Sequence, residues 1–223
     1  MTKLAWGTPG DKTYETGVSK GVLYRRSTDG AYDKATAWNG LVSVTESPSG
    51  AEANKQYADN TVYANLVSAE EFGATIEAFA YPNEFASCDG TAEISAGVSI
   101  GQQKREIFGL SYRTEIGNDL SSEAGYKLHL LYGAQAAPTE KAYTTINDSP
   151  EANTFSWELT TIPVDVPGFK PTALLTVDST KVNSADLAAL EDMLYGTTSG
   201  TPELPLPEAI IELLESTMDA PGV

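Results

Sequence analysis

Along Gln56–Gly90 the pattern of polar and apolar positions predicts strand, turn, strand, short helix and turn. Tyr63 to Val67 is rich in β-formers and stops at the polar break Ser68-Ala69-Glu70-Glu71. Gly73 to Ala80 then alternates, with Ala74, Ile76, Ala78 and Ala80 on one side and Thr75, Glu77 and Phe79 on the other. Tyr81-Pro82 ends this strand, because proline cannot donate to a sheet ladder. Pro82 is suited to the first turn of a helix, so Asn83 to Cys88 reads as a short helix closed by an Asp89-Gly90 turn.

The same reading extends in both directions. Gly21 to Arg26 and Leu41 to Glu46 are strand candidates, separated by turn signals at Thr28-Asp29-Gly30 and Asn39-Gly40. Trp6 and Trp38 flank this region as core or interface anchors. Ser47 to Asn60 is polar and reads as a loop, far longer than a usual hairpin connection, and therefore either functional or disordered. Further strands are expected at Ile94–Ile100, Glu106–Arg113, Tyr126–Tyr132, Lys141–Ile146, Thr154–Ile162 and Ala173–Asp178. Ser184 is placed to cap a helix ending near Leu194, with Leu187, Leu190 and Leu194 on one face and Gly196 beyond its end. After the Pro- and Gly-rich stretch Thr197–Pro207, Pro207 opens a second helix to about Met218.

These elements predict a mainly β protein, an antiparallel β-sandwich or barrel with a short internal helix and one or two C-terminal helices. Alternating βαβ units are absent, which argues against a doubly wound fold. The expected organisation is a β core over 1–180, a flanking helix over 181–199, and an acidic linker with a helix or arm over 200–223. That last piece either docks on a neighbouring subunit or stays mobile. At 223 residues and 41% hydrophobic content the chain can bury a sizeable core. No apolar run approaches the roughly 20 residues of a membrane helix. Met1 to Gly7 lacks an apolar leader pattern, so synthesis in a cytoplasm is expected.

The formal net charge of -17 argues against phosphate-binding function, which needs Lys and Arg. The charge is uneven. Asp59, Glu70, Glu71, Glu77, Glu84, Asp89 and Glu93 occur between Lys55 and Lys104 with no basic residue among them. A solvated acidic face that aids solubility explains this run. The chain offers little catalytic chemistry. Its one cysteine, Cys88, reads as a small buried residue beside Glu84 and Asp89, which disfavour a thiolate. Its one histidine, His129, lies within a predicted strand with no second His or Cys partner for zinc. No glycine-rich phosphate loop or calcium-loop spacing occurs. No enzyme activity, cofactor or metal is expected.

Several short stretches occur in a telling order. They are Tyr57-Ala58-Asp59-Asn60, Ala78-Phe79-Ala80, Tyr81-Pro82-Asn83-Glu84-Phe85, Cys88-Asp89-Gly90, Phe108–Arg113, Tyr126–Gly133, Phe155-Ser156-Trp157-Glu158 and Leu194-Tyr195-Gly196. The series resembles the major tail protein, or tail tube protein, of long-tailed, non-contractile bacteriophages of Gram-positive hosts, over roughly residues 1–199. The resemblance implies a structural virion protein that polymerises as stacked hexameric rings into a tube for double-stranded DNA. It implies a homo-oligomer without cofactor, with a tape-measure protein and tail tip and tail terminator proteins as partners. It places the protein in the virion tail after synthesis in the host cytoplasm. On this resemblance Glu70, Glu71 and Glu77 are candidates for bore charge. Ser47, Pro48, Gly50, Lys55 and Tyr57 are candidates for an inter-ring loop. A second reading is a non-catalytic β-sandwich binding module, an adhesin or carbohydrate-binding domain, in which Trp6, Trp38 and Trp157 would supply stacking platforms.

Overall fold

The computed structural model describes residues 6–146, 148 and 152–218. The expectations that involve Met1–Ala5 and residues 219–223 lie outside these residues. In chain order the strands are β1 (Tyr14–Arg25), β2 (Lys34–Trp38), β3 (Leu41–Glu46), β4 (Ser49–Gly50), β5 (Ala53–Ala58), β6 (Thr61–Val67), β7 (Glu70–Glu71) and β8 (Gly73–Ala78). A 3-10 helix, Asn83–Ser87, follows. Then come β9 (Ala92–Ser95), β10 (Val98–Ile100), β11 (Phe108–Gly117), β12 (Gly125–Ala136), β13 (Phe155–Thr161) and β14 (Leu174–Asp178). Helices α1 (Ser184–Tyr195) and α2 (Pro207–Met218) close the chain. The protein is therefore mainly β and antiparallel, with a short internal helix and two C-terminal helices.

The main sheet runs in the order β2-β1-β11-β12-β13-β8-β3, and β14 joins it on β12. Strand β12 has two successive partners on one edge. Lys127–Leu131 pairs with β14, and Ala134–Ala136 pairs with β13. Gly133 sits where the partner changes, with φ +61°, and a Cβ there would stand 2.1 Å from the Ile162 carbonyl oxygen. Only glycine fits so close an approach with that backbone. The far edges of the sheet, β2 and β3, are joined by the short turn Asn39-Gly40, and β3 returns against β1 so closely that a Cβ on Gly21 would meet the Leu41 side chain. The sheet thus curls toward a barrel.

Alternation along the strands separates two cores. Inside the curl lie Leu23, Trp38, Ile76, Phe85, Phe108, Leu110, Leu131, Trp157 and Leu159, with Cys88 fully buried among them. Trp38, Phe85 and Trp157 contact one another, with ring centroids 4.6 to 5.8 Å apart. On the outer face of β1, β12 and β14, Tyr24, Leu128, Leu130, Tyr132 and Val177 pack under the two helices, against Leu187, Leu190, Leu194, Leu204 and Ile210. The Tyr24 hydroxyl donates to the Leu194 carbonyl at 2.7 Å, and that of Tyr132 donates to the Pro205 carbonyl at 2.8 Å. These bonds satisfy polar groups that burial would otherwise leave unpaired.

Five expectations change. The strand expected over Ile94–Ile100 is a small hairpin, with β9 and β10 paired antiparallel about a turn at Ala96-Gly97. Ser47 to Asn60 is not a loop but one leg of a long hairpin, built from β4 and β5. Lys141–Ile146, expected as a strand, forms none. The cap of α1 is Asn183, whose side chain accepts from the Ala185 amide at 2.9 Å, and Ser184 is the first helical residue. The C-terminal piece is no free arm as far as Leu214. The Leu204 amide donates to the Tyr32 carbonyl at 3.0 Å, and Leu204 and Ile210 are buried on this chain's own sheet.

Asp89, just after the 3-10 helix, ties the end of the inner core together. Its Oδ1 accepts from the indole N–H of Trp157 at 3.1 Å and lies 3.3 Å from Arg105, while Oδ2 pairs with Lys141. Burial opposes the charge on Lys141, but the hydrogen bond and charge of Asp89 hold its ammonium above the usual lysine range. Asp89→Ala would leave the Trp157 indole and the Lys141 ammonium without this acceptor, and Arg105 with only the Ala136 and Ala137 carbonyls. The cost expected is about 2–4 kcal/mol, below that of a fully buried pair because both cations are partly exposed. Urea unfolding of the variant measures it, and a loss under about 0.5 kcal/mol would show that the carboxylate is not structural.

Candidate functional site

Two features of the surface are not explained by the core. The first is the hairpin that leaves the sheet at β3 and returns at β8. Three successive ladders keep one register from Ser43↔Glu77 through Ser49↔Glu71 to Gln56↔Ala64, with shifts between Leu41 and Ser43 at the root and between Gln56 and Tyr57 near the tip, where Ala58 pairs with Thr61. The tip is a two-residue turn in which Asp59 and Asn60 both have positive φ, 50° and 59°, as a type I′ turn requires. Halfway out, Gly50 and Ala51 also have positive φ, and a Cβ on Gly50 would stand 2.5 Å from the Ala69 carbonyl oxygen. This irregular joint separates a neck (β4, β7) from a distal arm (β5, β6). From Ser47 to Asp59 the arm spans up to about 40 Å at roughly 3.3 Å per residue.

The arm has no core of its own. Every residue of β5 is exposed, and on β6 only Ala64 is partly covered. Tyr57, Val62, Tyr63, Leu66 and Val67 are all exposed, Tyr63 at 80%. Leu66 and Val67 are neighbours on β6, so these apolar side chains fall on both faces of the ribbon, and exposure of so many on one element marks an interaction surface. The distal arm also carries little charge. Residues 53–67 hold one cation, Lys55, and one anion, Asp59, in a chain whose net charge is -17.

The second feature is the outer face of β3, β8 and β13. The inner side of these strands carries Val44, Ala74, Ile76, Ala78, Trp157 and Leu159. The outer side carries Ser43, Thr45, Thr75, Glu77, Ser156, Glu158 and Thr160. Thr75 pairs with Thr45 and Glu158, and Glu77 with Ser43 and Ser156, across the ladder. The Ser43 hydroxyl donates to Glu77 at 2.9 Å. The helices cover β1, β12 and β14, so this face of hydroxyls and carboxylates is left without a layer over it.

The sequence-derived candidates divide between the two features. Ser47, Pro48, Gly50, Lys55 and Tyr57 all lie on the outgoing leg of the arm, with the Ser47 amide bonded to the Gly73 carbonyl at 2.8 Å. Glu70 and Glu71 lie on the neck, and Glu77 lies on the uncovered face, so the three carboxylates are not one cluster. Sequence reasoning missed the returning leg as a partner of the outgoing one, and it missed Glu158. The Asp59-Asn60 pair between two tyrosine-bearing runs is the turn signal that would have found the first.

At the root of the arm, Glu46 ends β3 and accepts from the Tyr112 hydroxyl at 2.8 Å. The His129 ring stacks flat on Tyr112, 4.7 Å away, and its Nδ1 lies 3.4 Å from Glu46. Burial pushes the Cys88 thiol up to about 12, so it is no nucleophile at neutral pH. Among the described residues no three His, Cys, Asp or Glu side chains come together as a metal site, and no helix is long and apolar enough to cross a membrane. Trp38 and Trp157 are buried and Trp6 is exposed, so two of the three stacking platforms needed by a binding module are in the core. Comparison of the chain with protein-family models and with curated proteins finds no match.

A strand with one core face and one free face makes a sharp expectation. Thr75→Lys and Ser156→Lys remain folded, with stability within about 0.5–1 kcal/mol of the parent. Ile76→Lys, on the core face beside Thr75, buries an unpaired charge and unfolds the protein. Circular dichroism melts distinguish them, and equal loss in all three would mean that the outer face is packed.

Proposed function

We propose that the protein is a structural virion subunit that polymerises as stacked hexameric rings into a phage tail tube, through which double-stranded DNA passes. The observation that carries this reading is the arm. A two-stranded ribbon without a core is at best marginally stable in water, so an arm of this length with exposed apolar side chains on both faces calls for a second surface. A further copy of the chain supplies one without any other partner. The ordered series of residues that resembles tail tube proteins points to the same kind of assembly.

The uncovered face suits a bore. Hydroxyls and carboxylates without Lys or Arg give DNA phosphates nothing to hold, and the negative potential keeps the duplex off the wall. In this reading Glu77 and Glu158 line the bore, while Glu70 and Glu71 on the neck carry charge to its rim. The tape-measure protein would occupy the bore during assembly, with tail tip and tail terminator proteins at the ends. The reaction is mechanical guidance and uses no cofactor.

Negative-stain electron microscopy of the concentrated protein, alone and co-expressed with tail tip proteins, tests the assembly. Tubes or rings with a central hole are expected. A variant with residues 48–72 replaced by Asn-Gly, which keeps Ser47 opposite Gly73 and joins β3 directly to β8, should fold and remain monomeric. Monomers from the full chain under both conditions would overturn the proposal, and tubes from the shortened chain would remove the arm from it.

The bore is tested separately. Glu77→Lys with Glu158→Lys should still form tubes but should cut DNA delivery by at least about tenfold, as attraction replaces repulsion. Undiminished delivery would place these residues outside the bore.

A further inference from the structure

We propose that the β9–β10 hairpin is the surface on which the arm of a second copy docks: the apolar face of one copy's distal arm covers the apolar face of its neighbour's hairpin. The pairing deepens the tail-tube reading and rests on it, since it names the surface that the arm meets on another copy.

The hairpin lacks cover as the arm does. Every residue from 93 to 104 is exposed, so β9 and β10 have no layer over them. Val98 and Ile100 lie on one side of β10 with Ser95 and Ala92 as their partners, whereas Ser99 on the other side pairs with Glu93. The register shifts between Val98 and Ser99, which leaves Ile94 unopposed at a bulge and 63% exposed. One face is therefore apolar and the other polar. A two-stranded hairpin with a bare apolar face is at best marginal in water.

The arm has a face to match. On β5, Ala53, Lys55 and Tyr57 lie on one side, and their ladder partners are Val67, Asn65 and Val62. Tyr57, Val62 and Val67 thus share a face that is apolar but for Lys55 and Asn65.

Charge favours this pairing over others. Copies with a net charge of -17 repel wherever carboxylates meet. Residues 91–103 hold a single charge, Glu93, on the polar face, where it accepts from the Gly97 amide at 2.8 Å. Neither apolar face carries a carboxylate, so the two join without setting like charges together. The uncovered face of β3, β8 and β13 would offer the arm hydroxyls with Glu77 and Glu158 instead.

The hairpin is also firmly rooted. The Thr91 amide donates to the Ala86 carbonyl at 2.8 Å and the Gln103 amide to the Gly90 carbonyl at 2.9 Å, and Arg105 just beyond is tied to Asp89. A fixed hairpin is a pre-organised receptor, and the coreless arm adapts to it. Arm and hairpin are different surfaces of one chain, so each copy gives an arm to one neighbour and receives one from another. Head-to-tail contacts of this kind propagate.

Cross-linking between two variants reads the contact. Val62→Cys on the arm and Val98→Cys on the hairpin both replace exposed side chains, and the chain's own Cys88 is buried and stays silent. The two variants carry tags of different mass, are mixed under the conditions used for imaging, and are treated with a short bis-maleimide. Heterodimer on a denaturing gel should exceed by at least about tenfold that from Val62→Cys mixed with Leu120→Cys, because docking holds the first pair of thiols at a high effective concentration. Leu120 is as accessible but lies on the turn beyond the far end of β11. A yield no higher than this control would overturn the pairing, whether or not tubes form. Tubes without the cross-link would strike the pairing and leave the tail-tube reading, and the cross-link without tubes would do the reverse.

Discussion

One buried carboxylate holds the end of the inner core together. Asp89 receives the indole N–H of Trp157 from β13, Arg105 from the segment before β11, and Lys141 from the segment after β12. A lone charge there would be costly, and the three donors together offset that cost. The consequence is positional. With Asp89 fixed, the 3-10 helix just before it lays Phe85 into the ring cluster of Trp38, Phe108 and Trp157. That cluster sets the inner face of β8 and β13, and hence which residues are left on their outer face. The uncovered Ser/Thr/Glu surface and the exit of the arm at β3 and β8 both inherit their placement from this core.

Where burial and period coincide, the chain is readable from its residues. Ala74, Ile76 and Ala78 alternate with Thr75 and Glu77 because one side faces the core and the other does not. Leu187, Leu190 and Leu194 mark the buried stripe of α1 in the same way. The arm was not readable by that rule, because a strand exposed on both faces has no reason to alternate. Asn54, Lys55 and Gln56 carry the composition of a loop while pairing as a strand with Leu66, Asn65 and Ala64. The converse error occurs at Lys141–Ile146, where Tyr143, Thr144, Thr145 and Ile146 have the composition of a strand but form none. The docking of Leu204 and Ile210 depends on a surface formed by Tyr32, Tyr132 and Val177, far away in sequence, and no local pattern reveals it.

The two halves of the molecule differ in how they are stabilised. The barrel and its helices bury aromatic and aliphatic side chains in two clusters. The arm is held by backbone ladder bonds and buries almost nothing, so it sits at the low end of local stability. On the tail-tube reading this contrast is useful. A rigid body defines the ring, and a weakly ordered arm gains its order when it meets the next copy, as coupled folding and binding does elsewhere.

The energetics then constrain how such an assembly can start. Full burial of Tyr57, Val62, Tyr63, Leu66 and Val67 would contribute on the order of 10 kcal/mol gross, at roughly 1.5–3 kcal/mol per side chain. Association and ordering of the arm cost a comparable amount, about 4–15 kcal/mol for lost rigid-body freedom alone. Copies that each carry a net charge of -17 also repel one another. One arm docking on one copy is therefore close to balanced. The gain is decisive only where several contacts form at once, as on a completed ring. An arm that is nearly neutral in its distal part limits the charge that must be desolvated there, and the strong acidity of the remaining chain suppresses premature pairing. On the tail-tube reading, growth from a template and persistence of free monomer would be two results of the same balance.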